Sequence, residues 1–214
     1  MIAAQNIEIA LHIDLRSRDG RTPEGNTIPD LSKYFLKPQG LIAAITSNLK
    51  SSSALVQLNG VVSASDLSEV KLLHPSSRFI LPIGEAHLSL PDETLGDYLS
   101  SVAASVDYFL FDCSGGLGKV FSLEAFKRFA QAARTYAPSG DLGFSGGLSP
   151  QNIQMHVDQM RSDTKLQQLA PIEALSIDVE SGIRSTTHDG QDRVDHTKLT
   201  AFIQSAVRAL TRAA

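Results

Sequence analysis

The 214-residue chain has a single cysteine, Cys113, and no tryptophan. One cysteine excludes an internal disulfide and any zinc site built from several thiolates. A polybasic block is also missing: 19 Lys and Arg are scattered against 23 Asp and Glu, for a net charge of −4. That balance argues against a nucleic-acid partner, because binding a phosphate backbone leaves a basic footprint. No apolar run approaches the roughly 20 residues that span a bilayer, so no membrane partner is expected. The opening MIAAQNIEIALHIDLR has no basic segment ahead of an apolar one and runs straight into strand-like sequence. No secretory signal is read there, and a cytoplasmic protein is the default expectation. His74, His87, His156, His188 and His196 show no H-x-x-x-H or comparable spacing, so no metal site is expected.

Short β-rich apolar runs alternate with amphipathic segments. Strands are read at Ile7–Ile13, Leu41–Thr46, Ala54–Leu58, Arg78–Ile83, Tyr108–Asp112, Asp141–Ser145 and Ala174–Val179. Several are apolar throughout, as strands of a parallel sheet covered on both faces must be. Between them lie helix patterns. SASDLSEVKLLH has Ser65 as a possible N-cap, PDETLGDYLSSVAASV starts on Pro91, and SLEAFKRFAQAARTY is capped by Ser122. SPQNIQMHVDQM opens on a Ser-Pro cap, and DHTKLTAFIQSAVRALTRAA closes the chain. The order predicts one α/β domain over residues 1–214, either a doubly wound open sheet or a (β/α) barrel. Both shapes put function at the C-terminal ends of the strands. Those ends read HIDLRSRDGR, TSN, QLNG, IGEAH, DCSGGLGK, SGGLSP and DVESG, where polar residues and glycines collect.

The turn after Asp112 resembles a P-loop only superficially. Aligning Gly118-Lys119 to that motif puts Cys113 at the first glycine and Val120 at the hydroxyl, and no G-x-G-x-x-G follows the first strand. The turns GFSGGLSPQN and DVESGIRS are better anion sites, since glycines let backbone N–H groups approach a phosphate closely. Two such turns in succession, late in the chain, match the place where phosphate-binding barrels hold their substrate. Asp112 and Asp178 close strands that point at this cradle. Position alone leaves two roles open for each, general acid–base chemistry or capping of the next turn. Gln57 reads as a satisfied polar group, and RSTTHDGQDR as a mobile loop that could cover a ligand.

Three segments, DYFLFDCSGGLGKVFSLEAF, LGFSGGLSPQNI and SIDVESGIRSTTHDGQDRVDHTKLTAFIQSAV, resemble the last three βα units of phosphoribosylanthranilate isomerase. ALVQLNG and AAITSN resemble its fourth and third strands, so the likeness runs from about residue 41 to 208. The resemblance implies a phosphate-binding TIM-type (β/α) barrel acting in tryptophan biosynthesis, with no cofactor and no metal. The reaction implied is an Amadori rearrangement of a phosphoribosyl-amine, a small phosphorylated sugar substrate. A general acid protonates the furanose oxygen and a base takes the C2′ proton, turning the aldose into a ketose. The acid of the family matches Asp112. Its phosphate-binding residues match Gly146, Gly147, Ser181 and Gly182, and a substrate-site aspartate matches Asp178. Arg16 or Arg18 stands nearest the arginine that meets the substrate carboxylate.

The sequence departs from the family in places. The family's base is a cysteine in a K-[IV]-C-G first strand, for which there is no match, so Asp14, His12 or Cys113 becomes the candidate base. The first βα unit is missing on this register, which implies a barrel incomplete or modified at its N-terminal end. An exposed strand edge would then need covering, as a homodimer would do. Glu180 replaces a serine beside the implied phosphate, and Arg184 replaces a glutamate. The alternative is a barrel that has lost the isomerase activity and binds or processes another phosphorylated ligand.

Overall fold

The computed structural model describes residues 10–14 by their backbone, and residues 54–60, 62–113, 121–186, 188 and 190–211 in full. The expected strand Leu41–Thr46, both arginines Arg16 and Arg18, and the Gly118-Lys119 turn lie outside the described residues.

Six parallel strands form one sheet: β1 (Ala10–Asp14), β2 (Leu55–Asn59), β3 (Arg78–Ile83), β4 (Tyr108–Asp112), β5 (Asp141–Ser145) and β6 (Ser176–Ile177). They lie side by side in chain order. A doubly wound sheet reverses its strand order at a switch point, and this one does not; sequential order with parallel pairing is the winding of a (β/α) barrel. The helices agree, because they cover one face of the sheet. They are α1 (Ala64–Leu73), α2 (Glu85–Leu88), α3 (Asp92–Val102), α4 (Leu123–Tyr136), α5 (Ile153–Ser162), α6 (Thr164–Leu169) and α7 (His196–Thr211). Neighbours pack in succession, α1 on α3, α3 on α4, α4 on α6, and α5 on α6 and α7.

Strand periodicity sorts the side chains. Val56, Leu58, Phe79, Leu81, Phe109, Phe111, Leu142 and Phe144 face the helices and are completely buried. The alternate positions, Gln57, Asn59, Ile80, Tyr108 and Asp112 among them, face inward and are half-buried. The outer core is densest behind β4 and β5. Phe111 there meets Phe126 at 5.4 Å, Phe121 at 5.7 Å and Phe129 at 5.8 Å, and Phe121 meets Phe144 at 5.4 Å. Each such ring stabilises the fold by about 1.5–3 kcal/mol through burial, with edge-on pairing adding roughly 0.5–1.5 kcal/mol. This cluster stands directly behind Asp112 and Ser145, so it fixes the strand ends that carry the site.

Loops on the outer surface are pinned by arginines and one aspartate. Arg128 of α4 donates to the carbonyls of Leu88 and Leu90 and pairs with Asp92 at 2.6 Å. Arg134 donates to Leu169 O at 2.9 Å and Gly140 O at 3.0 Å. Asp107 accepts from the Phe79 N–H at 2.8 Å and from Lys71 Nζ at 3.0 Å.

Several boundaries differ from the sequence reading. The cap of α1 is Ser63, whose Oγ accepts from the Asp66 N–H at 3.2 Å; Ser65 is already inside the helix. Strand β6 keeps only Ser176–Ile177 of the expected Ala174–Val179, because Ile172–Ala174 closes into a 3-10 turn. The segment read as a loop after the last strand contains an antiparallel hairpin, β7 (Arg184–Thr186) with β8 (Asp192–Val194). Among the described residues no helix is long and apolar enough to cross a membrane.

Candidate active site

The C-terminal strand ends converge on one narrow cleft. Its walls are Gln57 and Asn59 from β2, Asp112 from β4, Ser145 to Leu148 from β5 and its turn, and Asp178 to Ser181 beyond β6. Strands β2 and β6 are four places apart in the sheet. At about 4.8 Å per strand, a flat sheet would hold them roughly 19 Å apart. Both line the same small cleft, so the sheet curls strongly inward, as a barrel wall does.

The β5 turn is built by its own residues. Gly146 and Gly147 adopt φ of 102° and 61°, values that residues with a Cβ rarely reach. Asn152 then clamps the turn: its Oδ1 accepts from the Ser149 N–H and its Nδ2 donates to Gly147 O, both at 2.8 Å. That clamp moves the start of α5 to Ile153, three residues past the expected Ser-Pro cap. Ser145 is buried, and its hydroxyl donates across the strands to Phe111 O at 3.2 Å. The second turn packs on the first. A Cβ on Gly182 would lie 1.9 Å from Leu148 O, so only glycine allows this approach. Among the described residues no acceptor meets the backbone N–H groups of Gly146, Gly147 or Leu148. Unpaired amides beside a cleft suit an anionic ligand.

Of the expected site residues, Asp112, Gly146, Gly147, Asp178 and Ser181 all line this cleft, and Gly182 braces it from behind. His12 and Asp14 sit on β1, in register with Gln57 and Asn59, whose side chains reach the cleft. Cys113 follows Asp112 on the opposite side of the strand and packs against the hydrophobic core. Arg184 pairs with Asp192, Nε to Oδ2 at 2.7 Å, and no ion pair joins it to Glu180 among the described residues. Asp112, Asp178 and Glu180 share the cleft without making a group that could hold a metal ion. The sequence reading passed over Asn59 and Asn152 and took Gln57 as structural. The signal for the β2 pair was their period-2 spacing at a strand end. For Asn152 it was an amide three residues after Ser149 in a glycine turn.

No protein-family model and no curated protein matches the chain. Solved structures similar in shape include the following two. One is a phosphoribosyl anthranilate isomerase from Thermococcus kodakaraensis, at 12% identity and a TM-score of 0.46, covering 91% of this chain and 87% of that one. The other is a candidate copper homeostasis protein, CutC, from Streptococcus agalactiae, at 12% identity and a TM-score of 0.41, covering 79% and 72%. At 12% identity neither likeness carries a functional reading, which has to rest on the residues of the cleft.

Proposed function

We propose that the chain is an isomerase of the phosphoribosylanthranilate isomerase type, converting a phosphoribosyl-amine from aldose to ketose form. The observation that carries this reading is the convergence of Asp112, the Gly146-Gly147 amides, Asp178 and Ser181 on one cleft. Asp112 acts as general acid, protonating the furanose oxygen so that the ring opens to an iminium. A base removes the C2′ proton, the C1′–C2′ enolamine forms, and tautomerisation leaves the ketone. His12 or Asp14 is the base, since β1 carries both beside the strand whose Gln57 and Asn59 face the cleft. Asp178 holds a sugar hydroxyl, and the amides of Gly146 and Gly147 with Ser181 hold the phosphate.

The test is turnover of phosphoribosylanthranilate by the purified protein, followed through anthranilate fluorescence, beside Asp112→Asn. We expect turnover, and a loss of about 10²-fold or more in kcat for the variant, the usual contribution of a general acid. Turnover unaffected by Asp112→Asn would remove the role given to that residue. The position of Cys113 against the core favours a second reading, a barrel that binds or processes a different phosphorylated ligand. That reading predicts stabilisation by sugar phosphates with no turnover.

A further inference from the structure

We propose that Gln57 and Asn59 are a diol-reading pair, the specificity residues that take the adjacent 2′- and 3′-hydroxyls of the substrate's ribose. The inference rests on the reading of the cleft as the isomerase site and deepens it. Both residues belong to β2 and line the cleft, while Val56 and Leu58 are completely buried on the opposite face of the strand. The two amides therefore share one face, about 6.6 Å apart along the strand. Both residues are half-buried, and neither makes a side-chain hydrogen bond among the described residues. A carboxamide carries two N–H donors and a carbonyl acceptor. Water serves these groups in the free protein, and a ligand that displaces it has to serve them too or bind more weakly.

The size and chemistry of the cleft name the ligand group. Its volume is about 30 Å³, room for roughly two waters. That suits two hydroxyls and is too small for an aromatic ring. A carboxylate there would only accept and would leave both amide carbonyls unmet, whereas a hydroxyl donates and accepts as an amide does. The Ser145 hydroxyl gives its proton to Phe111 O at 3.2 Å, and the carboxylates of Asp112 and Asp178 accept rather than donate. Donors for the sugar oxygens thus come from β2, while Gly146, Gly147 and Ser181 serve the phosphate. Register ties the pair to the reacting carbon. His12 pairs with Gln57 and Asp14 with Asn59 on strands that lie side by side, roughly 4.8 Å apart. A base on β1 that takes the C2′ proton works one strand from the amides, so the hydroxyls in their reach are those on C2′ and its neighbour C3′.

The test compares ribose 5-phosphate with 2-deoxyribose 5-phosphate, each titrated by ³¹P NMR. The phosphate is then constant and one hydroxyl is removed. The parent chain should bind the deoxy sugar about tenfold more weakly, the scale of one unmet hydrogen bond at a half-buried group. Leucine fills the space of either amide without its hydrogen bonds. The two sugars should bind equally to the double variant Gln57→Leu, Asn59→Leu, and the ratio should fall below about threefold in at least one single variant. A merely structural role does not move this ratio, because a distorted cleft weakens both sugars alike. Equal binding of the two sugars by the parent would overturn the proposal while the phosphate reading stands. So would a tenfold ratio that survives in both single variants, which would put the discrimination on another wall of the cleft. Failure of the parent to bind ribose 5-phosphate, together with no turnover of phosphoribosylanthranilate, would take down the isomerase reading and the diol pair with it.

Discussion

His87 is completely enclosed, its ring 4.9 Å from that of Tyr98, and neither ring nitrogen has a hydrogen-bond partner among the described residues. Its sequence context, IGEAH, placed it with the polar strand ends. The short helix α2 instead turns it back into the packing, a reversal that four residues do not announce. Burial pushes its pKa down from 6.5 to about 4. The folded ring stays neutral, whereas the unfolded chain takes a proton near pH 6.5. Stability from the neutral ring is thus present above pH 6.5 and lost as the pH falls toward 4, by about 3 kcal/mol over the whole interval. Burial also lowers the pKa of His156, which adds in the same direction. The melting temperature should therefore drop between pH 6.5 and 4.5, and drop less steeply in His87→Phe, which keeps a ring against Tyr98. A parallel pair of pH profiles would show that His87 is not the group responsible.

At the scale of elements, the two glycine turns behave as one unit. Asn152 ties Ser149 to Gly147, and Gly182 lies against Leu148 O. The glycines were legible, since a strand followed by Gly-Gly demands a backbone that other residues resist. Asn152 was not, because Ser-Pro is a common helix start and the side-chain clamp that overrides it leaves no periodic trace. Asn152→Ala removes two part-buried hydrogen bonds and should cost about 2 kcal/mol in denaturant unfolding. Gly182→Ala inserts a methyl where there is no space and should cost roughly 1–3 kcal/mol. In both variants amide chemical shifts should move at Gly146, Gly147 and Ser181, and stay put in β3 and α1. Unchanged stability in Asn152→Ala would mean the turn holds its shape without the clamp. The hairpin β7–β8 was missed for a related reason. Its strands are three residues each, with β8 exposed and Arg184 and Ser185 of β7 only half-buried, and Asp195 ties them by accepting from Ser185 Oγ at 2.9 Å and from the Thr197 and Lys198 N–H groups.

For the whole molecule, alternating strands and helices could be read from the sequence, and β3, β4 and β5 run over the residues expected of them. What periodicity could not decide was open sheet against barrel, since buried parallel strands look alike in both. Strand order decides it, together with the curvature that brings β2 and β6 to one cleft. That curvature has a measurable consequence. A ligand in the cleft touches the two turns after β5 and β6 and also Gln57 and Asn59, whose strand is hydrogen-bonded to β1 and β3 rather than to either turn. Binding to the folded chain alone raises the free energy of every opening that breaks the site, by about 2.7 kcal/mol at a hundredfold excess over Kd. Saturating ribose 5-phosphate should therefore slow native-state hydrogen exchange in β2 as well as around Gly146–Leu148. The helix-facing amides of α3 should be protected only through global unfolding. Protection confined to residues 144–148 and 180–186 would mean that the ligand sits on the two turns alone, and that β2 takes no part in holding it.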